Sequence, residues 1–177
     1  MMKLAISAAL IVAAAALGCS AFAEEKPAGK DEVKNAAFEK IKALSGEWET
    51  SQSAGDHAAH GGTVTYKVTA AGSAVIETLF GGSDHEMITM YFMDGNELAL
   101  THYCMLHNRP QMRAEKQTSP EKLVFKCQAG DKIEAEEHMH QETFTFVDAD
   151  HVKTEWVLYK DGKPASTHSF DLVRKKK

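Results

Sequence analysis

The chain has 177 residues, with 20 lysines and arginines against 25 aspartates and glutamates, which gives a formal net charge of −5. This mild acidity, without a basic patch, argues against nucleic acid as a partner. The three lysines that close the chain are interpreted as a solvated tail.

The N-terminus has the pattern of a leader. An apolar run from Leu4 to Leu17 follows Lys3 and is too short to span a bilayer comfortably. It is followed by Ala-Phe-Ala at 21–23, a small-x-small cleavage signal, so residues 1–23 are predicted to be a secretory signal peptide. The predicted location is therefore periplasmic or secreted.

The same region supports an alternative. Residues 16–19, Ala-Leu-Gly-Cys, resemble an imperfect bacterial lipoprotein box, in which Cys19 would be lipidated and become the new N-terminus. In that case the mature protein would be anchored to a membrane through Cys19. No second long apolar run follows, so no other membrane attachment is predicted.

After the leader, a polar segment at 24–30 containing Pro and Gly is predicted to be a flexible linker, and residues 31–177 one domain. Apolar residues from Asp31 to Leu44 fall at helical spacing. Asp31 can cap this helix at its start, and Gly46 follows its end. The sequence therefore predicts one short helix at the N-terminus of the domain.

From Gly46 onwards, apolar and polar residues alternate with a period of two, and turn residues such as Asp94-Gly95 and Asp161-Gly162 separate the runs. The predicted strands are 46–51, 62–70, 73–80, 86–93, 97–105, 111–117, 122–128, 140–148, 151–159 and 166–174. Consecutive hairpins favour an all-β fold, an antiparallel up-and-down barrel of about ten strands with no unpaired edge.

The ends of this pattern resemble the calycin group of lipocalins, fatty-acid-binding proteins and nitrobindin-like barrels. Gly46-Glu47-Trp48 begins the first strand, and Arg174 stands near the end of the last. The resemblance implies that Arg174 packs over Trp48 and closes the base of the barrel. The ten strands are more similar to the fatty-acid-binding and nitrobindin-like members. The stretch 77–112 also resembles secreted bacterial lipocalin-like domains of unknown function. The resemblance does not imply a particular ligand.

The strand at 138–146 places polar residues in line with core residues. Phe144 and Phe146 mark the inward face, and the same parity includes Glu142, His140 and His138, provided that no bulge interrupts the strand. Two histidines and a carboxylate are therefore predicted to face the barrel interior.

Parity also predicts which residues of other strands face inward. In the strand at 97–105, Leu98 and Leu100 share a face with His102 and Cys104, although neither face of that strand is clearly polar. With the neighbouring strands included, the predicted ligand-binding residues are Tyr66, Glu77, His102, Cys104, His138, His140, Glu142 and His168.

Imidazole ligates zinc, copper and iron, so His102, His138 and His140 are predicted to bind a divalent transition metal or a heme. Binding is expected to be weaker at pH 5 than at pH 7.5, because protonated imidazoles release metal. Cys104 and a histidine are a conceivable nucleophile pair, but the sequence shows no oxyanion loop and no third residue to orient them. No catalytic residue is assigned.

Two further expectations concern the strand ends. Cys104 and Cys127 lie two strands apart, about 9 to 10 Å at the usual spacing, which is beyond the reach of a disulfide. Both are therefore predicted to be free thiols. The connections at 84–86 and 104–108 are predicted to lie at the same mouth of the barrel and to make it polar.

These features predict an exported lipocalin-like barrel that binds a small ligand in a partly polar, histidine-lined cavity. The alternative is an enzyme of the same fold that uses a cavity histidine, or a metal or heme bound by histidine. A third interpretation is a protein-interaction module with a filled interior. Inward Thr, His and Glu residues favour an occupied or wet cavity over a filled one.

Overall fold

A computed structural model describes residues 35–54, 62–116, 119–128 and 132–176. The predicted leader, Cys19 and the linker at 24–30 lie outside the described residues. Within the described part, no helix combines the length and the apolar character that crossing a membrane requires.

The one α-helix among the described residues, α1, spans Ala36–Ala43 and is preceded by Asn35. The Asn35 side chain accepts hydrogen bonds from the backbone N–H groups of Ala37 (3.0 Å) and Phe38 (3.2 Å), which satisfies two of the donors that a helix start leaves unpaired. Asn35 is thus the cap, and the predicted cap Asp31 lies outside the described residues. Phe38 and Ile41 are buried beneath the helix.

The sheet is a closed antiparallel barrel in which every strand pairs with its sequence neighbours and the first pairs with the last. This confirms the prediction of an all-β, ten-stranded up-and-down barrel with one short helix. The strands are β1 Gly46–Ala54, β2 Thr63–Thr69, β3 Ala74–Leu79, β4 Met87–Asp94, β5 Glu97–Tyr103, β6 Gln111–Ala114, β7 Lys122–Cys127, β8 His138–Phe146, β9 His151–Lys160 and β10 Lys163–Arg174.

One end of the barrel, here called the helix end, is organised around Trp48. The Trp48 indole N–H donates to the Leu44 carbonyl at 2.8 Å, and the Arg174 guanidinium lies over the indole ring at 4.2 Å from its centroid. Gly46 has φ +136°, and a Cβ there would lie 3.1 Å from Arg174 Nη1. The Gly-x-Trp pattern is therefore a packing requirement, because the glycine leaves room for the arginine.

The opposite end, here called the open end, is where β5 and β7 finish and β4, β6 and β8 begin. The connections at 84–86 and 104–108 both lie there, as predicted from strand alternation.

The barrel interior is filled by large side chains. Trp48, Tyr91, Phe125, Phe144 and Trp156 are all at most 2% exposed. Tyr91 packs against both phenylalanines, with ring centroids 5.7 Å from Phe125 and 5.9 Å from Phe144. Little interior volume remains for a bound organic molecule.

A β-bulge in β8 changes which side chains face the interior. The pairing of β8 with β9 shifts between Met139 and Gln141, so that His140 is an extra residue on that strand. The assumption of a regular strand, on which the inward orientation of His138 and His140 depended, is therefore wrong. Met139, rather than either histidine, lines the interior cavity together with His102.

Candidate functional site

The predicted site residues separate into three groups. The first is a network of hydrogen bonds across the middle of the barrel, here called the acid network: Tyr66, Glu77, Thr89, Tyr91 and Glu142. Tyr66, Glu77, Thr89 and His102 are directly opposed on four successive strands, β2 to β5. Side chains of directly opposed residues lie on the same face of a sheet, so this row forms a continuous polar belt.

Glu77 is the centre of the acid network and is fully buried. Its carboxyl group accepts hydrogen bonds from the Tyr66 hydroxyl at 2.6 Å and the Tyr91 hydroxyl at 3.0 Å. Burial raises the pKa of Glu77, whereas hydrogen bonds from Tyr66, Thr89 and Tyr91 lower it. Burial is the larger effect, so the pKa of Glu77 is raised overall, and the three donors limit that rise.

Glu142 reaches the same tyrosine from the other side of the barrel. The Tyr91 oxygen lies 2.8 and 3.0 Å from the two Glu142 oxygens and 3.0 Å from Glu77. A hydroxyl has one hydrogen to donate. The carboxyl group that does not receive that hydrogen must carry a proton of its own and donate it to the Tyr91 oxygen.

The electrostatics of this pair agree with the proton count. Burial raises the pKa of Glu142 well above its usual value, and the nearby Glu77 charge raises it further. Two buried carboxyl groups that share one tyrosine do not both ionise easily. Glu142, whose pKa is raised more strongly than that of Glu77, is therefore the carboxyl group that holds the proton.

His102 extends this network towards the open end. Its Nδ1 lies 2.9 Å from the Thr89 hydroxyl, which itself donates to Glu77. Thr89 must then accept from His102 Nδ1–H, so that the lone pair of the neutral ring is on Nε2. Burial lowers the pKa of His102 to about 4, which keeps the ring neutral at pH 7.

The second group surrounds a small interior cavity beside His102. The cavity has a volume of about 10 Å³ and is lined by Leu79, Met87, His102, Met139, Trp156, His168 and Phe170. His102 Nε2 and Trp156 Nε1 are buried and have no hydrogen-bond partner among the residues that the structure describes. The two rings pack together, with centroids 4.4 Å apart. A cavity of this size accommodates about one water-sized occupant.

The third group, here called the rim cluster, consists of Cys127, His138 and His140 at the open end. One donor atom from each residue lies within 4.8 Å of the other two. Cys127 and His138 are buried, with 6% and 1% exposure, and His140 is partly exposed. A thiol and two imidazoles that converge in this way form a typical donor set for zinc or copper.

The tautomers of the rim cluster follow from its hydrogen bonds. His138 Nδ1 lies 2.7 Å from the Glu136 carbonyl oxygen, which can only accept, so this nitrogen carries the hydrogen. His138 Nε2 therefore presents its lone pair to His140 Nδ1, which lies 3.0 Å away. In the metal-free protein one hydrogen of His140 occupies the space between the two rings.

Aromatic packing holds His140 in place. The ring stacks on Tyr159 with centroids 3.9 Å apart and an interplanar angle of 14°. Burial lowers the pKa of His140, the neighbouring His138 and Lys126 lower it further, and Glu134 opposes them. The unprotonated imidazole, which is the form that ligates metals, is thereby favoured.

Cys104 and Cys127 are both free and buried, as predicted. Burial raises the pKa of the Cys104 thiol, whose sulfur lies 4.0 Å from the Met87 sulfur. The other predicted site residue, His168, lines the interior cavity, and its Nε2 lies 3.2 Å from the Ser166 hydroxyl. His102 lies at the interior cavity rather than with the rim cluster.

Sequence reasoning did not assign Cys127 to the metal site. A signal was available, because the antiparallel register that pairs Phe125 with Glu142 directs Cys127 towards His140. Tyr91 was also missed, since a tyrosine in an apolar strand is usually a core residue.

A wider groove of about 910 Å³ lies at the helix end, beside Gly46 and Arg174. Among the described residues that line this groove, Tyr66 is the only predicted site residue. No protein-family model matches the chain, and no curated protein matches it significantly. The fold and the site geometry are therefore the basis for a functional proposal.

Proposed function

We propose that this barrel binds a divalent transition-metal ion, Zn²⁺ in the first place, at the rim cluster. The observation that carries the proposal is the convergence of Cys127, His138 and His140 within 4.8 Å. The donor set of this site, one sulfur and two nitrogens, matches ligand sets that hold zinc in proteins.

The spacing of the two imidazoles supports this proposal. At zinc–nitrogen distances of about 2.0 to 2.1 Å, two nitrogens on a tetrahedral ion lie roughly 3.3 Å apart. His138 Nε2 and His140 Nδ1 are 3.0 Å apart without an ion. An ion could therefore enter after a small outward movement of the rings, with the His140 hydrogen moving to Nε2.

The surroundings of the rim cluster also favour binding. The Glu136 carbonyl fixes the His138 tautomer in the metal-binding form, and Tyr159 holds the His140 ring. Outer partners of this kind orient the ligands and raise their affinity. Much of the ordering that binding requires is thus already present in the free protein.

Three protein ligands leave one tetrahedral position for water or another molecule. Sites of this kind are typical of metals that exchange or react, whereas closed structural sites use four protein ligands. The partial exposure of His140 gives such a ligand a route from solvent. The open position therefore supports a reversible or catalytic role for the metal over a purely structural role.

The proposal is tested by titrating chelator-treated protein with Zn²⁺ in a calorimeter. We expect one equivalent to bind, with release of the Cys127 thiol proton. Cys127→Ser and the double variant His138→Ala/His140→Ala should weaken binding by more than the roughly 10- to 100-fold that loss of an outer partner causes.

His151→Gln is a matched control, because His151 begins β9 at the helix end and pairs with Asp171. It should bind Zn²⁺ like the wild type. Equal affinity in the wild type and the double variant would contradict the proposal, as would the absence of stoichiometric binding.

We further propose that the protein acts outside the cytoplasm. This rests on the predicted leader at residues 1–23 alone, and the mature N-terminus tests it independently of the metal.

A further inference from the structure

Sulfur donors lie beside His102, whose Nε2 has no hydrogen-bond partner among the described residues. Met87 and Met139 line the same interior cavity as His102, and the Met87 sulfur is 4.0 Å from Cys104 Sγ. Thioethers and an imidazole that line one cavity are a suitable donor set for a soft metal ion.

The size of the cavity restricts its occupant. A volume of about 10 Å³ is roughly that of one water molecule as seen by a water-sized probe. An organic ligand would require the displacement of core side chains, whereas a single ion fits with adjustment of the flexible methionines.

The charges around the cavity favour a monovalent ion. Neutral donors surround the cavity: the His102 lone pair on Nε2 and the two thioethers. The penalty for moving an ion out of water is several kcal/mol even after relaxation and increases with the square of the charge. Glu77 is the nearby acidic group, and it is linked to His102 through the hydrogen bonds of Thr89.

Soft thioether ligands and imidazole select Cu(I) among the common transition metals. We propose that the interior cavity binds one Cu(I) ion through His102 Nε2 and the sulfurs of Met87 and Met139. The Trp156 ring lines the same cavity and offers a π surface that attracts a cation. This site is separate from the rim cluster, and it does not depend on the proposed function.

The test uses the full chain under anaerobic conditions, with Cu(I) supplied in competition with bicinchoninate. Ag⁺ serves as an air-stable monovalent probe. NMR of ¹³C-labelled methionine methyl groups reports where the ion binds. We expect one equivalent to shift the methyl signals of Met87 and Met139, and to leave that of Met93 unchanged.

The variant Met87→Leu/Met139→Leu removes both sulfurs and nearly conserves side-chain volume, a change that protein cores tolerate well. It is compared with the wild-type cavity in chains that also carry Cys127→Ser, so that copper at the rim cluster does not contribute, and it should weaken Cu(I) binding at least tenfold. Met93→Leu, on the same strand as Met87 and packed against the core, is the matched control. His102→Gln should weaken binding in the same way as the double variant.

The Cys127→Ser variant separates this site from the rim cluster. It should retain the interior Cu(I) equivalent and lose Zn²⁺ binding. The proposal is overturned if the methionine double variant binds Cu(I) like the wild type, if no methyl signal at the cavity shifts, or if Cys127→Ser abolishes Cu(I) binding. None of these results affects the assignment of Zn²⁺ to the rim cluster.

Discussion

Arg174 connects the last strand to the helix through Trp48. Its guanidinium covers the indole at 4.2 Å and donates to the carbonyl oxygens of Ala43 (3.0 Å) and Ser45 (2.8 Å). These are carbonyls at the end of α1, which no helical N–H can satisfy. One side chain therefore closes the barrel base and also caps the helix.

Arg174→Ala should lower the free energy of unfolding by about 2 to 4 kcal/mol. The variant loses the contact with the Trp48 ring and leaves carbonyl oxygens without their donor. Urea denaturation monitored by tryptophan fluorescence measures the change. Arg113→Ala is the control, because its ion pairs with Asp94 and Glu97 are near the surface, and it should cost about 1 kcal/mol or less. A similar loss in both variants would contradict the special position of Arg174.

Glu142→Gln should make the protein more stable than the wild type at high pH. The folded-state pKa of Glu142 is raised, so the native protein binds a proton that the unfolded chain releases. Stability then falls as pH rises above the unfolded value of about 4.3, by up to about 1.4 kcal/mol per pH unit until the folded pKa is reached. Glutamine is neutral at every pH and can still donate to Tyr91, so its profile should be flatter.

The comparison is made on chelator-treated protein between about pH 8 and pH 9, where His102 is largely neutral in both the folded and the unfolded states. Glu155→Gln, at an exposed position on the neighbouring strand, is the control and should follow the wild type. Parallel profiles for wild type and Glu142→Gln would show that Glu142 is not protonated in the fold.

Tyr159→Leu should weaken Zn²⁺ binding at the rim cluster by about tenfold and leave the stoichiometry unchanged. The stack that holds His140 is lost, while the three ligands remain, which is the expected effect of removing an outer partner. Calorimetry of the variant measures the loss. Tyr103→Leu, at a half-exposed tyrosine, serves as control, and an equal decrease in both variants would refute the role of the stack.

The mature protein should begin at Glu24. Cleavage after Ala-Phe-Ala at 21–23 is the expected processing of the predicted leader. Intact mass of the protein recovered from the cell envelope checks it. A chain that begins at Cys19 with a diacylglyceryl group would replace this prediction with a membrane-anchored lipoprotein.

Strand number, order and direction could be predicted from the sequence because local signals determine them. Alternation identifies each strand, and a turn such as Asp94-Gly95 forces the next one to be antiparallel. The orientation of His138 could not be predicted, since a single extra residue at His140 reverses the parity. Nothing in the residue types of this strand marks the position of the bulge.

Part of the candidate site could be predicted because its residues lie where alternation along the strand is regular. Glu77, His102 and Glu142 lie on regular strand segments, and all three are buried. The convergence of Cys127 with the two histidines depends on the bulge and on the register of three strands. The proton on Glu142 depends on Tyr91, a contact 51 residues away in sequence, which alternation within one strand does not reveal.

The proton held by Glu142 also alters how the folded molecule moves in an electric field. One of the glutamates counted in the formal net charge of −5 then stays neutral in the folded protein. Native isoelectric focusing should therefore not separate the Glu142→Gln variant from the wild type. In urea, where Glu142 ionises, the variant should focus at a higher pH than the wild type.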